Sequence, residues 1–143
     1  MRDAPKDIIP RFASALSVRT ESASAAKEAT ERALSRLGEG APDLALLFIT
    51  APHAPQAALM ASLIQQVSGA RHVVTCSARG VIGEGIEIEE TPGASLMLAA
   101  IPGVKVSPFR VDELPKVPDK PSPDWHKDTF AEALHVERDH AGT

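Results

Sequence analysis

The chain has 143 residues, the length of one ordinary domain, and 43% of them are hydrophobic, which is enough to form a buried core. A formal net charge of −4, with four Phe, one Trp and no Tyr, disfavours nucleic-acid binding, which depends on basic surfaces and stacking side chains. The single cysteine, Cys76, excludes an internal disulfide, and no apolar stretch is long enough for a membrane helix, so we expect a cytoplasmic protein with no membrane or nucleic-acid partner.

The first part of the chain shows a strand pattern followed by a helix pattern. Residues 1–10 hold prolines among charges and indicate a lead-in. Residues 11–18 alternate between two sets of side chains, which predicts a strand with one face on a core. Residues 25–37 place apolar side chains on one helical face, and Gly38 follows as a typical helix end. The candidate N-cap residues are Thr20, Ser22 and Ser24.

Residues 43–77 predict a strand–helix–strand unit. The apolar run of residues 43–50, bounded by prolines, predicts a strand that is covered on both faces. Pro55 suits the first turn of the following helix, which Gly69 ends, and residues 71–77 predict the next strand. Because the connections are short, these elements predict a right-handed parallel unit.

The pattern beyond this unit predicts further strands. A loop at residues 78–85 leads to a half-exposed strand at 86–89, and residues 94–101 predict another buried strand. The turn at Pro102-Gly103 then predicts an antiparallel partner strand at 104–109. We therefore predict an α/β fold with a mixed, mostly parallel sheet flanked by helices.

Composition divides the chain into three parts. A Pro-rich, charged stretch begins at residue 113 and is typical of a linker, and a short helical pattern with Trp125, Phe130 and Leu134 follows it. We therefore expect a lead-in at 1–10, one α/β domain at 11–112, and a linker with a short C-terminal helix at 113–143.

Candidate ligand-binding residues follow two predicted strands that should be parallel neighbours. The carboxyl ends of such strands meet at one edge of a sheet, where α/β proteins usually bind ligands. Arg79 is the main candidate, because a guanidinium beside a hydroxyl and free backbone N–H groups suits a carboxylate or another small anion. The alternative is an ion pair of Arg79 with Glu84, Glu87 or Glu89. The predicted ligand-binding residues are Thr50, His53, Cys76, Ser77, Arg79 and Gly80.

Three other kinds of chemistry are disfavoured. Cys76 with His53 would be a catalytic pair only if an acidic residue oriented the histidine, and none can be identified, so we favour a small core cysteine and predict no catalytic residue. The glycines at 80–85 are not ordered as in a dinucleotide-binding loop and no helical pattern follows them, so no cofactor is predicted. The five histidines lack metal-site spacing, so no metal is predicted.

The order of these segments resembles the FIST N-terminal domain, named for F-box and intracellular signal transduction. The resemblance covers roughly residues 11–112, and its most specific parts are Pro42-Asp43-Leu44, the Cys76-Ser77-x-x-Gly80 loop, and Gly85-x-Glu87 with the following Pro-Gly strand. It implies a sensory domain that binds small ligands, amino acids among them, in signalling proteins. Members of this family continue into a C-terminal FIST half, so we expect this chain to be a fragment or a truncated product.

Three functional hypotheses follow. The first is a non-enzymatic sensory module that binds a small molecule, such as an amino acid or another small carboxylate. The second is a protein-interaction or adaptor module without a small ligand, of the F-box-associated, ubiquitin-ligase type that the resemblance implies. Its partner would be a FIST C-terminal half or a signalling protein, which would bind the exposed strand at 86–90 or the helix with Trp125. The third is a Cys76-dependent enzyme.

Overall fold

A computed structural model describes residues 9–110 together with residues 112, 114, 116, 119 and 120. The chain divides into two compact units, Met1–Val104 and Lys105–Thr143. In the second unit, Arg110 forms an ion pair with Asp112 at 2.9 Å. Most of the expected lead-in, and the helix expected around Trp125, lie outside the described residues. No helix among the described residues is long and apolar enough to cross a membrane.

The first unit alternates strands and helices before it ends in a run of strands. A short 3-10 helix precedes the second α-helix, and Pro55 lies inside this 3-10 segment. The elements are β1 (Arg11–Ser17), α1 (Ser22–Leu37), β2 (Leu44–Ile49), the 3-10 helix (Ala51–Gln56), α2 (Ala57–Ser68), β3 (His72–Ser77), β4 (Gly80–Gly83), β5 (Ile86–Glu89) and β6 (Ala94–Ala100).

Helix α1 begins earlier than the apolar pattern predicts. Its N-cap is Glu21, whose carboxylate accepts hydrogen bonds from the backbone N–H groups of Ala23 at 3.1 Å and Ser24 at 2.8 Å. A carboxylate at this position satisfies otherwise unpaired N–H groups and interacts favourably with the helix dipole. The expectation of Thr20, Ser22 or Ser24 as the cap is therefore wrong.

The main sheet is mixed, with the strand order β1-β6-β2-β3. Only β2 and β3 pair in parallel, whereas β6 pairs antiparallel with both β1 and β2. The prediction of a mostly parallel sheet is therefore wrong. The reason is the antiparallel β4–β5 hairpin, after which the chain is again at the end of the sheet where β3 stops. Strand β6 starts there and therefore runs antiparallel to β1 and β2.

Two predictions for the segments around this hairpin are also wrong. Part of the loop expected at 78–85 is strand β4, which pairs with β5 across a turn at Glu84 and Gly85. The φ angles of Glu84 and Gly85 are 52° and 76°, the left-handed conformation that tight hairpin turns require. The strand expected at 104–109 does not form. Strand β6 already has a neighbour on each side, so a further strand cannot pair with β6.

Both helices pack on one face of the sheet. On β2, Leu47 and Ile49 point to the helices and are at most 1% exposed, whereas Phe48 points to the other face and is 45% exposed. The β4–β5 hairpin covers part of that other face, where Ser95 Oγ donates a hydrogen bond to Ile82 O at 2.8 Å. The prediction that residues 43–50 form a strand covered on both faces is therefore wrong for the end of β2.

Candidate functional site

The predicted ligand site lies where β1, β2 and β3 end. These strands run in one direction, because β1 and β2 are each antiparallel to β6 and β3 is parallel to β2. Their carboxyl ends therefore lie at the same end of the sheet, and the start of α1 and the 3-10 helix lie there too. This end of the sheet is the usual location for a ligand in an α/β protein.

Thr50 holds the connection between β5 and β6. Its side chain is fully buried, and its Oγ1 donates a hydrogen bond to Thr91 O at 2.6 Å and accepts one from Gly93 N–H at 2.9 Å. Its own N–H donates to Gly93 O at 3.0 Å. The Thr50 hydroxyl therefore serves to hold the fold together through these backbone hydrogen bonds.

His53 joins the 3-10 helix to the first turn of α1. The ring is 0% exposed, and its Nδ1 lies 2.8 Å from Ser22 Oγ. Its Nε2 is buried without a hydrogen-bond partner among the described residues. Burial lowers the pKa of His53 because a charged ring would lose its hydration, and a backbone group of Arg19 only partly opposes this effect. The ring is therefore neutral near pH 7.

Cys76 is exposed, so the expectation of a small core cysteine is wrong. Cys76 pairs in register with Phe48, and its side chain lies on the sheet face opposite the helices. Its Sγ donates a weak hydrogen bond to Ser77 O at 3.4 Å. His53 is enclosed beside Ser22, and among the described residues its ring makes no hydrogen bond to Cys76.

Arg79 and Ser77 are predicted site residues whose side chains are exposed and, among the described residues, form no ion pair or hydrogen bond. Cys76 is also exposed, and its Sγ makes only the weak contact with Ser77 O. The structural ion pair considered for Arg79 does not form. Gly80 pairs with Glu89 instead, and a Cβ there would lie 3.0 Å from Glu89 Cγ. A side chain at this position would require Glu89 to shift by a few tenths of an ångström, so the glycine allows the two strands to pack closely.

The charged cluster of the fold is centred on Glu84, which the sequence offers as a partner for Arg79. Glu84 Oε1 accepts hydrogen bonds from Arg32 at 2.7 Å and from Arg36 at 2.5 Å. Its Oε2 accepts one from the backbone N–H of Leu16 at 3.1 Å. These donors hold the pKa of Glu84 below its ordinary value, with Arg36 as the largest cause and Leu16 as the next. The i,i+4 spacing of the two arginines on α1 was the only sequence signal for this cluster.

The sequence did not predict a pocket that lies at the opposite end of the sheet, where β1 and β2 begin and β6 ends. Its volume is about 490 Å³, within the range of small-molecule sites. Arg11 donates hydrogen bonds to Leu37 O at 2.8 Å and Glu39 O at 2.6 Å, and Asp43 Oδ2 accepts one from Ile101 N–H at 2.7 Å. The Arg11 guanidinium and the Oδ2 atom of Asp43 are thus bound to backbone groups. The lining residues are Ile9, Arg11, Glu39, Ala41, Asp43, Ala100 and Pro102.

This pocket could not be found from the sequence because its walls come from segments that are far apart in the chain. Among the described residues, no group of three or more His, Cys, Asp or Glu side chains could hold a metal ion.

Comparison with protein-family models identifies a family. The model of the FIST N domain matches residues 43–133, which is more than half of the chain. The match begins at β2 and includes β3, the hairpin and β6. No curated protein matches the chain.

Proposed function

The chain belongs to the FIST N domain family, a domain associated with signal transduction, and from this premise we propose that it is a non-catalytic sensory domain that binds a small carboxylate. The proposed contacts are the guanidinium of Arg79 and the hydroxyl of Ser77, at the carboxyl end of β3. Thr50 and His53 do not contact the ligand in this proposal. They hold the neighbouring connections in place.

The state of Arg79 is the observation that supports this site. It is exposed and has no ion pair among the described residues, whereas Arg32 and Arg36 both bind Glu84. A guanidinium matches a carboxylate with two parallel hydrogen bonds, and at Arg79 no ion pair with a described carboxylate has to be broken before a ligand binds. An amino acid or another small organic acid is the ligand class with this chemistry.

Thermal unfolding with a library of amino acids and small carboxylates tests the proposal. A ligand that binds only the folded state stabilises it by about 2.7 kcal/mol at a concentration of one hundred times its Kd. We expect a subset of carboxylates to raise the melting temperature of the wild type. We also expect Arg79→Ala to abolish this shift and Arg79→Lys to keep part of it.

Two matched variants show which end of the sheet binds the ligand. Arg71→Ala removes an exposed arginine from the start of β3 and should leave the ligand response unchanged. Ala41→Leu fills part of the pocket at the opposite end of the sheet and should also leave the ligand response unchanged. A response that Ala41→Leu removes and Arg79→Ala retains would place the ligand in that pocket. A folded protein that responds to no carboxylate would contradict ligand sensing altogether.

A second candidate function is a protein-interaction module without a small ligand. The sheet face opposite the helices exposes Phe12 by 60%, Phe48 by 45% and Val74 by 40%, and the hairpin beside it exposes Ile82 by 70%. Large apolar side chains that are exposed on one face of a sheet can form a protein-binding surface. We propose a FIST C-terminal half as the partner.

Binding to a purified FIST C-terminal half from a relative, measured by calorimetry, tests this second candidate. We expect Phe48→Asp to weaken binding at least tenfold, because it places a charge in the apolar contact. Glu87→Lys, an exposed charge change on β5, is the matched control and should bind like the wild type. Absence of binding by the wild type would rule out this partner.

A further inference from the structure

The main sheet has two free edges, which the structure treats differently. Strands β1 and β3 lie at the ends of the order β1-β6-β2-β3, and in the described part of the chain each pairs on one side only. An unpaired strand edge exposes a row of backbone N–H and C=O groups that can pair with another chain. Soluble proteins therefore block such edges or use them.

The edge of β1 is blocked by charged side chains. Arg36 donates a hydrogen bond to Ser14 O at 2.6 Å, and Arg32 donates one to Leu16 O at 2.7 Å. The carboxylate of Glu84 accepts one from Leu16 N–H at 3.1 Å. These outward-facing backbone groups are therefore already bonded, and an added strand would have to displace three charged side chains.

The edge of β3 has no such protection. His72 N–H donates to Asp43 O and Ala78 N–H donates to Ile49 O, so the even-numbered residues of β3 face β2. The backbone groups of Val73, Thr75 and Ser77 therefore point outward, because successive residues of a parallel strand alternate in direction. No side chain among the described residues bonds to these groups, apart from the weak contact of Cys76 Sγ with Ser77 O. The strand contains no proline and no Lys, Arg, Asp or Glu.

The centre of this edge also contains an unsatisfied hydroxyl. Thr75 Oγ1 is buried and has no hydrogen-bond partner among the described residues. A buried polar atom without a partner costs free energy, and such atoms are rare in folded proteins. This observation is independent of the free backbone groups, and it shows a hydroxyl at the centre of the edge that gains a hydrogen bond if its side chain rotates towards a neighbouring strand.

We propose that β3 pairs with β3 of a second copy of this chain, antiparallel and about a two-fold axis at Thr75. In this register, Thr75 lies opposite Thr75 of the second copy, and Val73 lies opposite Ser77 of the second copy. All three residues present outward-facing N–H and C=O groups, so each exchanges backbone hydrogen bonds with its opposite residue. The two sheets become one continuous sheet.

A second copy fits this edge because the edge is complementary to itself. The two Thr75 side chains face each other with their Cβ atoms about 5 Å apart, so one hydroxyl can donate to the other. Val74, which is 40% exposed, lies opposite Cys76 of the second copy on the other sheet face, and the pairing covers both. A two-fold interface of this kind closes after two copies and leaves the blocked β1 edges outermost.

Sedimentation and disulfide cross-linking test the proposal. We expect the 15.1 kDa wild-type chain to sediment as a dimer as its concentration rises. Val74→Cys places a cysteine directly opposite the native Cys76 of the second copy, at a Cα separation of about 4.5 Å, which a disulfide can bridge. We therefore expect mild oxidation to yield a covalent dimer on a non-reducing gel.

Two controls make the register specific. The two native Cys76 residues lie diagonally, roughly 7–8 Å apart, so the wild type should not cross-link. Ser14→Cys combined with Cys76→Ser puts an exposed cysteine on the blocked β1 edge and should not cross-link either. Val74→Lys with Cys76→Lys should sediment as a folded monomer, because it sets like charges opposite each other at exposed positions.

Two results would overturn the proposal. One is a wild-type chain that remains a monomer at every concentration tested. The other is a dimer that neither cross-links through Val74→Cys nor dissociates in the double-lysine variant, which would place the interface elsewhere. If the edge instead accepts an extended peptide from a different protein, the isolated chain remains monomeric, and that result also contradicts pairing with a second copy.

Discussion

Thr50 fastens the carboxyl end of β2 to the segment that leads into β6. The single hydroxyl bonds to Thr91 O and Gly93 N–H, groups that lie more than forty residues further along the chain. This fastening keeps the start of β6 beside β2 and places the β4–β5 hairpin over the sheet. Thr50 therefore acts on the site through the fold.

We expect Thr50→Val to destabilise the protein by about 1–3 kcal/mol. The variant keeps the shape of the side chain but leaves buried backbone groups without a partner. Urea unfolding at neutral pH measures the change, and Thr50→Ser, which keeps the hydroxyl, should recover most of the lost stability. Equal losses in both variants would show that the methyl group, and not the hydrogen bond, matters.

His53 should make stability sensitive to mild acid. Burial lowers the folded-state pKa of His53 below the ordinary value of 6.5, so between these two values only the unfolded chain binds the proton. The free energy of unfolding should therefore fall as the pH drops below about 6.5, until the folded-state pKa is reached. We expect His53→Gln to show a smaller difference between pH 7.5 and pH 5.5, measured by urea unfolding.

His72 supplies the control for this pH effect. It is half-buried on β3, and His72→Gln should retain the pH dependence of the wild type. A pH dependence that persists in His53→Gln and disappears in His72→Gln would contradict the assignment to His53.

The β4–β5 hairpin shows how one element can join several others. Its turn presents Glu84 to Leu16 on β1 and to Arg32 and Arg36 on α1. The turn can do so only because Glu84 and Gly85 both adopt positive φ angles, which tightens the connection to two residues. The hairpin is thereby anchored to the edge of the sheet and to the helix layer together.

We expect Gly85→Val to destabilise the protein by about 1–2 kcal/mol, because a β-branched residue is strained at a φ of 76°. Gly85→Asn should cost much less, since asparagine tolerates this conformation. Space does not confound the comparison, because a Cβ at Gly85 would meet no atom within 4 Å. Thermal unfolding of the two variants gives the difference, and equal melting temperatures would contradict the argument.

Glu84 should contribute stability at neutral pH that is lost in acid. Its folded-state pKa lies below the ordinary 4.5, so its contribution is complete above pH 4.5 and disappears as the pH falls through the folded-state value. We expect Glu84→Gln to be less stable than the wild type in urea unfolding at pH 7, and we expect this difference to narrow as the pH is lowered below 4.5. Glu87→Gln, an exposed control on β5, should be as stable as the wild type at pH 7.

At the scale of the whole chain, the first unit has an asymmetric core. Helices cover one face of its sheet, where Leu47 is 1% exposed, and among the described residues of this unit only the hairpin covers part of the opposite face. The main sheet is asymmetric in its edges as well, since charged side chains block β1 and none of the described side chains blocks β3.

The asymmetric core predicts different costs for two adjacent truncations on β2. Leu47→Ala should destabilise the protein by about 2–5 kcal/mol, because it leaves a cavity among buried side chains. Phe48→Ala should cost about 1 kcal/mol, because the phenyl ring is already 45% exposed. Urea unfolding compares the two. A similar cost at both positions would mean that both faces are covered in solution.

Most of the elements could be predicted from the sequence, and part of the site could not. Strands β1, β2, β3 and β6 and both helices follow from local periodicity, which needs no tertiary information. The roles of Thr50 and His53 could not be predicted, because their partners Gly93 and Ser22 lie far away in the chain. The unpaired state of Arg79 among the described residues could not be predicted either, because Glu84 binds Arg32 and Arg36 of α1, which lie far away in the chain.

The sequence by itself determined the helices, most of the strands and the FIST N family, because these depend on the order and spacing of neighbouring residues. Only the tertiary structure decided the order of the strands, the partner of each charged side chain and which edge of the sheet stays open. The physical reason is that hydrogen bonds between strands and ion pairs between elements join segments that are distant in sequence, and several pairings of the same segments satisfy the same local pattern.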